Sequence, residues 1–196
     1  SNEFTMLEFY RIEFNIHQLM DEIIELLDAL GKNAPIKKFS YAQVFFEYSD
    51  IDILNSDIND LKEITNSLGL SSDHDWIEDI QMLLFVHLIE PRLKEIPVCF
   101  VYDFPKQQAA LAEIDGPVAH RFEMYIDGTE IANGYQEIQS AQDYRHRFNT
   151  ELNKRKALSK PFEFLDNGFL EDLEGGIPNC SGVAIGIERL YSSLSL

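Results

Sequence analysis

Asp127-Gly128 separates two stretches of strand-like alternation, 118–126 and 129–138. An Asp-Gly pair supplies the positive-φ positions of a two-residue type I′ turn, so these stretches are predicted to form one long antiparallel hairpin. A second turn-like pair, Asn133-Gly134, lies inside the second arm, but the apolar pattern runs through it and it is read as strand interior. A two-stranded ribbon is not stable alone in water. The rest of the chain must therefore supply partner strands and helices to cover them. Three segments fit as strands: 4–11, 98–102 and 180–187. The first puts Phe4, Met6, Glu8 and Tyr10 on one face, an acid among apolar and aromatic neighbours. The last is glycine-rich. Gly182 and Gly186 weaken a strand, so they are expected to mark the close approach of a ligand or another backbone.

Helices fill the intervals. Ile16, Leu19, Met20, Ile23, Ile24, Leu27 and Leu30 recur at helical spacing, and Gly31 ends the run. Ser40 can cap a short helix through Tyr48. Asp57 can cap another, with Leu61, Ile64 and Leu68 inward; a third opens at Asp73 or Asp75 and ends before Pro91. Ser140 and Asp143 open a longer helix with Tyr144, Phe148 and Leu152 inward, and a short helix covers about 167–174. Strands separated by helices without β-α-β alternation predict an α+β fold, an antiparallel sheet flanked by helices. It is read as one domain over 1–196 with a helical insertion at about 40–90.

Composition limits the function. With 196 residues there is room for one real core. A net charge of -18 disfavours general nucleic-acid binding. Arg145, Arg147, Lys154, Arg155 and Lys156 cluster on one predicted helix and read as a solvated face. Cys99 and Cys180 sit in apolar runs without metal-ligand spacing, which predicts buried, reduced thiols. No apolar run is long enough to span a bilayer and the N-terminus lacks a signal-peptide pattern, so a cytoplasmic location is expected.

Three clusters carry chemistry: Glu8 with Tyr10; the run from Glu130 to Glu137; and the run from Ser181 to Arg189. Glu130 and Glu137 stand seven apart, which in a regular strand puts them on opposite faces. A bulge at Asn133-Gly134 would bring them to one side. Converged carboxylates can hold a divalent ion on ATP phosphates or pair with an ammonium group. From spacing alone, exposed strand acids are the more economical reading. A glycine strand leading to Arg189 can admit a flat ring, which a guanidinium stacks on or whose phosphate it clamps; a tight strand under a helix explains it equally well.

Taken together, Phe4-Thr5-Met6-Leu7-Glu8-Phe9-Tyr10-Arg11 resembles the end of motif 2 of class II lysyl-tRNA synthetases. Glu130-Ile131-Ala132-Asn133-Gly134-Tyr135-Gln136-Glu137 resembles their acidic strand, and Gly182-Val183-Ala184-Ile185-Gly186-Ile187-Glu188-Arg189-Leu190 resembles motif 3. The finer resemblance is to the paralogous branch that ligates β-lysine to elongation factor P. The run from Phe100 to Ile114 and that from Ile177 to Ala184 are similar to it, and it too lacks an anticodon-binding domain. This resemblance implies activation of lysine or β-lysine by ATP as an adenylate, with Mg, and transfer to a lysine of elongation factor P. It implies that Glu8, Tyr10, Asn133 and Glu137 bind the amino acid, and that Ala184 reshapes its pocket where lysyl-tRNA synthetases usually carry Gly. Glu130, Ile131, Gly186 and Arg189 would bind ATP, Arg189 would be catalytic, and Glu130 would be a magnesium ligand. The match begins inside motif 2, so motif 1 and the motif 2 arginine are expected to be missing and the activity incomplete. Uncovered sheet edges would favour self-association or a separate N-terminal fragment. The alternative is a non-catalytic paralogue that keeps a nucleotide, lysine or protein-interaction surface. A tRNA substrate is disfavoured by charge and by the absent anticodon-binding domain.

Overall fold

The computed structural model describes residues 3–161 and 167–194. Its strands are β1 (Met6–Ile12), β2 (Ile36–Ser40), β3 (Val98–Pro105), β4 (Ile114–Asp115), β5 (Val118–Ile126), β6 (Thr129–Gln136) and β7 (Cys180–Gly186). They form one sheet in the order β1-β7-β6-β5-β3-β2, with the short β4 also on β5. Pairing is antiparallel except at the β2–β3 edge, which is parallel. The fold is α+β, as the sequence implies. Two strands were not anticipated: β4, which is two residues long, and β2, whose Lys37 and Lys38 are exposed and whose short run carries little apolar alternation. The β5–β6 hairpin turns at Asp127 and Gly128, both at positive φ (48° and 77°), as its turn pair requires.

The sheet buries its two faces differently. Against one face lies α1 (Ile16–Ala29), started by a capping box in which Asn15 accepts from the Gln18 N–H and Gln18 accepts from the Asn15 N–H. Its Leu19, Met20, Ile23 and Leu27 pack on Val98, Phe100, Phe122, Met124, Val183 and Ile185. Leu30 falls outside this stripe: it is the C-cap and is exposed.

The opposite face, at the β5-β3-β2 end, is covered by α2 (Tyr41–Ser49), α3 (Ile58–Ser67), α4 (Ile77–Leu84) and α5 (Glu90–Leu93). Tyr41, Phe45, Leu61, Leu84 and Phe85 pack there with Cys99, Val101 and Tyr125. Ser40 and Asp57 cap α2 and α3 as anticipated, but Leu68 lies beyond the α3 stripe and is exposed. The next helix begins later than Asp73 or Asp75, at Ile77, with no side-chain cap. It also does not stop before Pro91. Residues Phe85–Ile89 form a π-helical turn and Pro91 sits in the first turn of α5, where its missing N–H is tolerated.

The remaining helices are α6 (Ala141–Ala157), α7 (Asn167–Leu173) and α8 (Ile187–Ser193). The cations of α6 are not simply a solvated face. Arg147 donates to the Ala110 carbonyl at 3.2 Å, and Lys154 pairs with Glu78 at 2.9 Å and Asp79 at 3.2 Å over the Trp76 ring. They tie α6 to α4 and to the loop before β4. Both cysteines are free and buried, as expected. Among the described residues no helix is long and apolar enough to cross a membrane.

Candidate functional site

The helices α2–α5 leave the β1-β7-β6 part of their sheet face bare. Strand register decides what stands there. Glu8 lies opposite Ala184, which lies opposite Asn133, which lies opposite Glu123. The next row is Tyr10, Gly182, Tyr135 and Arg121. Since residues directly opposite share a face, β7 presents only small residues, Cys180, Gly182, Ala184 and Gly186, between the taller side chains of β1 and β6. The result is a trough floored by β7.

Gly182 leaves room for the Tyr10 ring on this floor. A Cβ there would lie 2.5 Å from the Tyr10 ring and 3.1 Å from Glu137 Oε1. The close approach anticipated at this glycine is thus made by a tyrosine ring, neither a ligand nor a backbone. At Gly186 a Cβ would meet nothing nearer than 3.8 Å, the Ile131 carbonyl and the Arg189 side chain among the neighbours. None of the described residues crowds this position, and a flat group can lie on the bare backbone.

One end of the trough is an acidic cavity of about 480 Å³ lined by Glu8, Tyr10, Asn133, Tyr135, Glu137, Gly182 and Ala184. Leu111, Tyr144, Phe148, Phe169 and Leu173 enclose it with apolar surface. Tyr10 donates its hydroxyl proton to Glu8; that bond, then burial, pushes its phenol well above the usual range. The Glu137 carboxyl is pushed up to about 7, first by burial and then by the Glu8 charge, and no cation offsets them. Burial and Glu137 likewise push the Tyr144 phenol up to about 12. Among the described residues no cation lines this cavity, and two carboxylates so placed suit a positively charged group.

At the other end stand Glu130 and Arg189. Arg189 Nη1 donates to the Glu130 carbonyl at 3.0 Å and lies 3.6 Å from Oε2 of the same residue. The Glu130 carboxyl is raised by burial and by Glu123, and lowered by Arg189. A bulge does turn Glu130 to the face of Asn133 and Glu137, but it is at Ile131. Met124 pairs with Ala132 and Tyr125 with Glu130, which leaves Ile131 as the extra residue. Ile131 therefore buries its side chain in the α1 core and offers this face only its backbone.

Glu130 and Arg189 are thus together, whereas Glu137 joins Glu8 and Tyr10 roughly 20 Å along the same strand face at the usual rise per residue. Asn133 lies between the two ends. No cluster of three or more His, Cys, Asp or Glu side chains able to hold a metal occurs among the described residues. Glu130 alone suits an ion whose remaining ligands are water and phosphate oxygens, the usual situation of Mg. Sequence reasoning assigned no site role to Tyr135, Tyr144, Phe148, Arg121 or Glu123, though it placed Tyr144 and Phe148 on the inward face of a helix. Strand alternation with Asn133 and Glu137 signals Tyr135; the others arrive from distant segments.

The family described as tRNA synthetases class II (D, K and N) matches residues 1–195. The elongation factor P–(R)-β-lysine ligase of Proteus mirabilis (strain HI4320) is 42% identical over 194 residues, covering 96% of this chain and 60% of the relative. The enzyme of the same name from Klebsiella pneumoniae (strain 342) is 41% identical over the same share of each. The chain spans 60% of the length of these curated relatives. A sheet of this topology with a trough along its glycine strand, matched over its length by that family, makes this chain a member of the class II tRNA synthetase family of the D, K and N type.

Proposed function

We propose that the chain forms the amino-acid and nucleotide face of a cytoplasmic, ATP-dependent ligase that activates lysine or β-lysine and passes the acyl group to a lysine of elongation factor P. The observation that carries this reading is the buried carboxyl of Glu137 beside Glu8, with no cation lining their cavity among the described residues, at one end of a trough floored by small residues. A distal ammonium group satisfies both acids and returns the charge balance that burial disturbs. Tyr10, bonded to Glu8, orients that acid and closes the pocket beside Gly182. Asn133 takes the carboxylate end of the amino acid, one step along the strand. Ala184 faces Glu8 and Asn133 across the floor; its methyl group shortens the space between the ammonium and carboxylate subsites.

The nucleotide occupies the other end. Gly186 gives the adenine a flat bed, the Ile131 backbone borders it, and the Arg189 guanidinium stacks on the ring or holds phosphate. Glu130 would hold magnesium, which would neutralise phosphate charge when bound. In the first step the amino-acid carboxylate oxygen bonds to the α-phosphorus and pyrophosphate departs, leaving an acyl-adenylate. In the second the acceptor amine bonds to the acyl carbon, loses a proton, and AMP departs. The trough brings the reactants together, and positive charge from Arg189 stabilises the developing phosphoryl charge.

The test is pyrophosphate exchange by the full-length protein with lysine and with (R)-β-lysine, followed by transfer to elongation factor P. ATP- and amino-acid-dependent exchange is expected. Calorimetric binding of ATP and lysine without exchange would instead identify a binding module, and absence of both would overturn the reading. We further propose that the isolated chain self-associates through its open β1 edge, or there accepts a separate N-terminal fragment; Phe4, Met6 and Ile12 are exposed at that edge.

A further inference from the structure

Asn133 presents an amide, which can offer a ligand either an oxygen or an NH₂ group; which one it offers decides what it can recognise. The answer lies in β5. Arg121 Nε donates to Asn133 Oδ1 at 3.2 Å. Arginine has only donors, so the amide atom facing it must be the oxygen. The Asn133 NH₂ is then turned away from Arg121, on an amide that lines the cavity beside Tyr135; burial raises the Tyr135 phenol, and Arg121 and a hydrogen bond with Asn133 oppose it.

Arg121 is itself held on every side. Its Nη1 donates to the Gln108 carbonyl at 2.9 Å and its Nη2 to Glu123. Tyr125 donates its hydroxyl to the other oxygen of Glu123, and the guanidinium lies over the Phe104 ring at 4.6 Å. The pair is nearly buried, with 17% and 11% side-chain exposure, so the guanidinium has one orientation, and each oxygen of the carboxylate accepts one hydrogen bond. A lysine in this place has one nitrogen and cannot reach three acceptors in a plane.

We propose that Arg121 is a positioning residue: braced by Glu123 and Tyr125, it locks Asn133 as a donor, so that this part of the trough selects a ligand bearing an oxygen anion one strand step from the ammonium pocket. The inference rests on the amino-acid reading of the cavity and adds a mechanism for recognising the carboxylate end. It predicts discrimination between lysine and 1,5-diaminopentane, which has the same distal ammonium group and no carboxylate.

The experiment is a double-mutant cycle in the full-length protein, read by calorimetry with both ligands. Arg121→Lys is expected to weaken lysine binding roughly tenfold, the size of one hydrogen bond to a charged group, and to leave 1,5-diaminopentane binding unchanged. Asn133→Ala is expected to do the same. Because Arg121 acts through Asn133, Arg121→Lys added to Asn133→Ala should cost lysine no further affinity. Multiplicative losses in the double variant overturn the inference. So does an equal loss for the two ligands in Arg121→Lys, which would make Arg121 a general support of the fold. Failure of the unaltered protein to bind lysine overturns the amino-acid reading itself, and the inference with it.

Discussion

Glu137 holds its proton to about pH 7 in the folded chain, against 4.5 for the ordinary group, because burial and the Glu8 charge both oppose ionisation. The folded state therefore binds more protons than the unfolded state between these values. The contribution of Glu137 to stability falls as pH rises from about 4.5 to 7 and is constant above. Glu137→Gln removes that penalty: at pH 8 it should raise stability by about 1–3 kcal/mol, the scale of such a shift, and at pH 4.5 it should change little. Thermal unfolding at the two pH values measures this. The same variant should lose lysine binding. In the unaltered protein a bound ammonium favours the ionised carboxylate, so lysine affinity should fall as pH drops below 7, by at most about tenfold per unit, with proton release detectable in buffers of different ionisation enthalpy. Two glycines separate stability from binding in the same way. A Cβ at Gly182 meets the ring of Tyr10, which is half exposed on an edge strand and can swing aside. Gly182→Ala should thus cost less than about 1 kcal/mol in folding and abolish lysine binding. A Cβ at Gly134 would lie 2.3 Å from the buried Phe122 ring and 2.9 Å from the Gly182 carbonyl. Gly134→Ala should cost about 1–3 kcal/mol or more in chemical denaturation.

Among the elements, those announced by local chemistry were legible. Ser40, Asp57 and Ser140 each accept a hydrogen bond at the start of a helix, and Asp127-Gly128 turns the hairpin; the Asn15 cap of α1 was not singled out. The Asn15 box starts α1, which with Leu190 of α8 packs against the β7-β6-β5 core from behind. Asn15→Ala should cost about 1 kcal/mol, with α1 amides losing hydrogen-exchange protection first. The elements that local chemistry did not announce are those made by pairing. Strand β2 exists because β3 offers it an edge, and its lysines face out. The helix continues past Pro91 because a π turn shifts the hydrogen-bond ladder just before it. The bulge falls at Ile131 and not at Asn133-Gly134 because Ile131 fills a place in the α1 core, while Gly134 must pass under Phe122.

For the molecule as a whole, β1 is an edge strand with Phe4 and Ile12 among its exposed neighbours. The isolated chain should self-associate with rising concentration in sedimentation velocity, and Ile12→Lys, placing a charge on the edge, should shift it toward monomer; concentration-independent monomers in both would exclude this edge as the contact. Much of the site was legible as residue types: a lone acid on an apolar strand face, an acidic strand around Asn133, a glycine strand ending in Arg189. Their spatial grouping was not. The chain's own pattern of turns, caps and alternation determined the hairpin, the helices around it and the α+β class, because these depend on neighbours within a few residues. Only the tertiary structure decided that Glu137 shares a cavity with Glu8 while Glu130 keeps Arg189, and that Arg121 donates to the Asn133 amide oxygen. Those facts depend on strand register and on one bulge, and register is fixed by which side chains fit together across the sheet, which no single strand specifies alone.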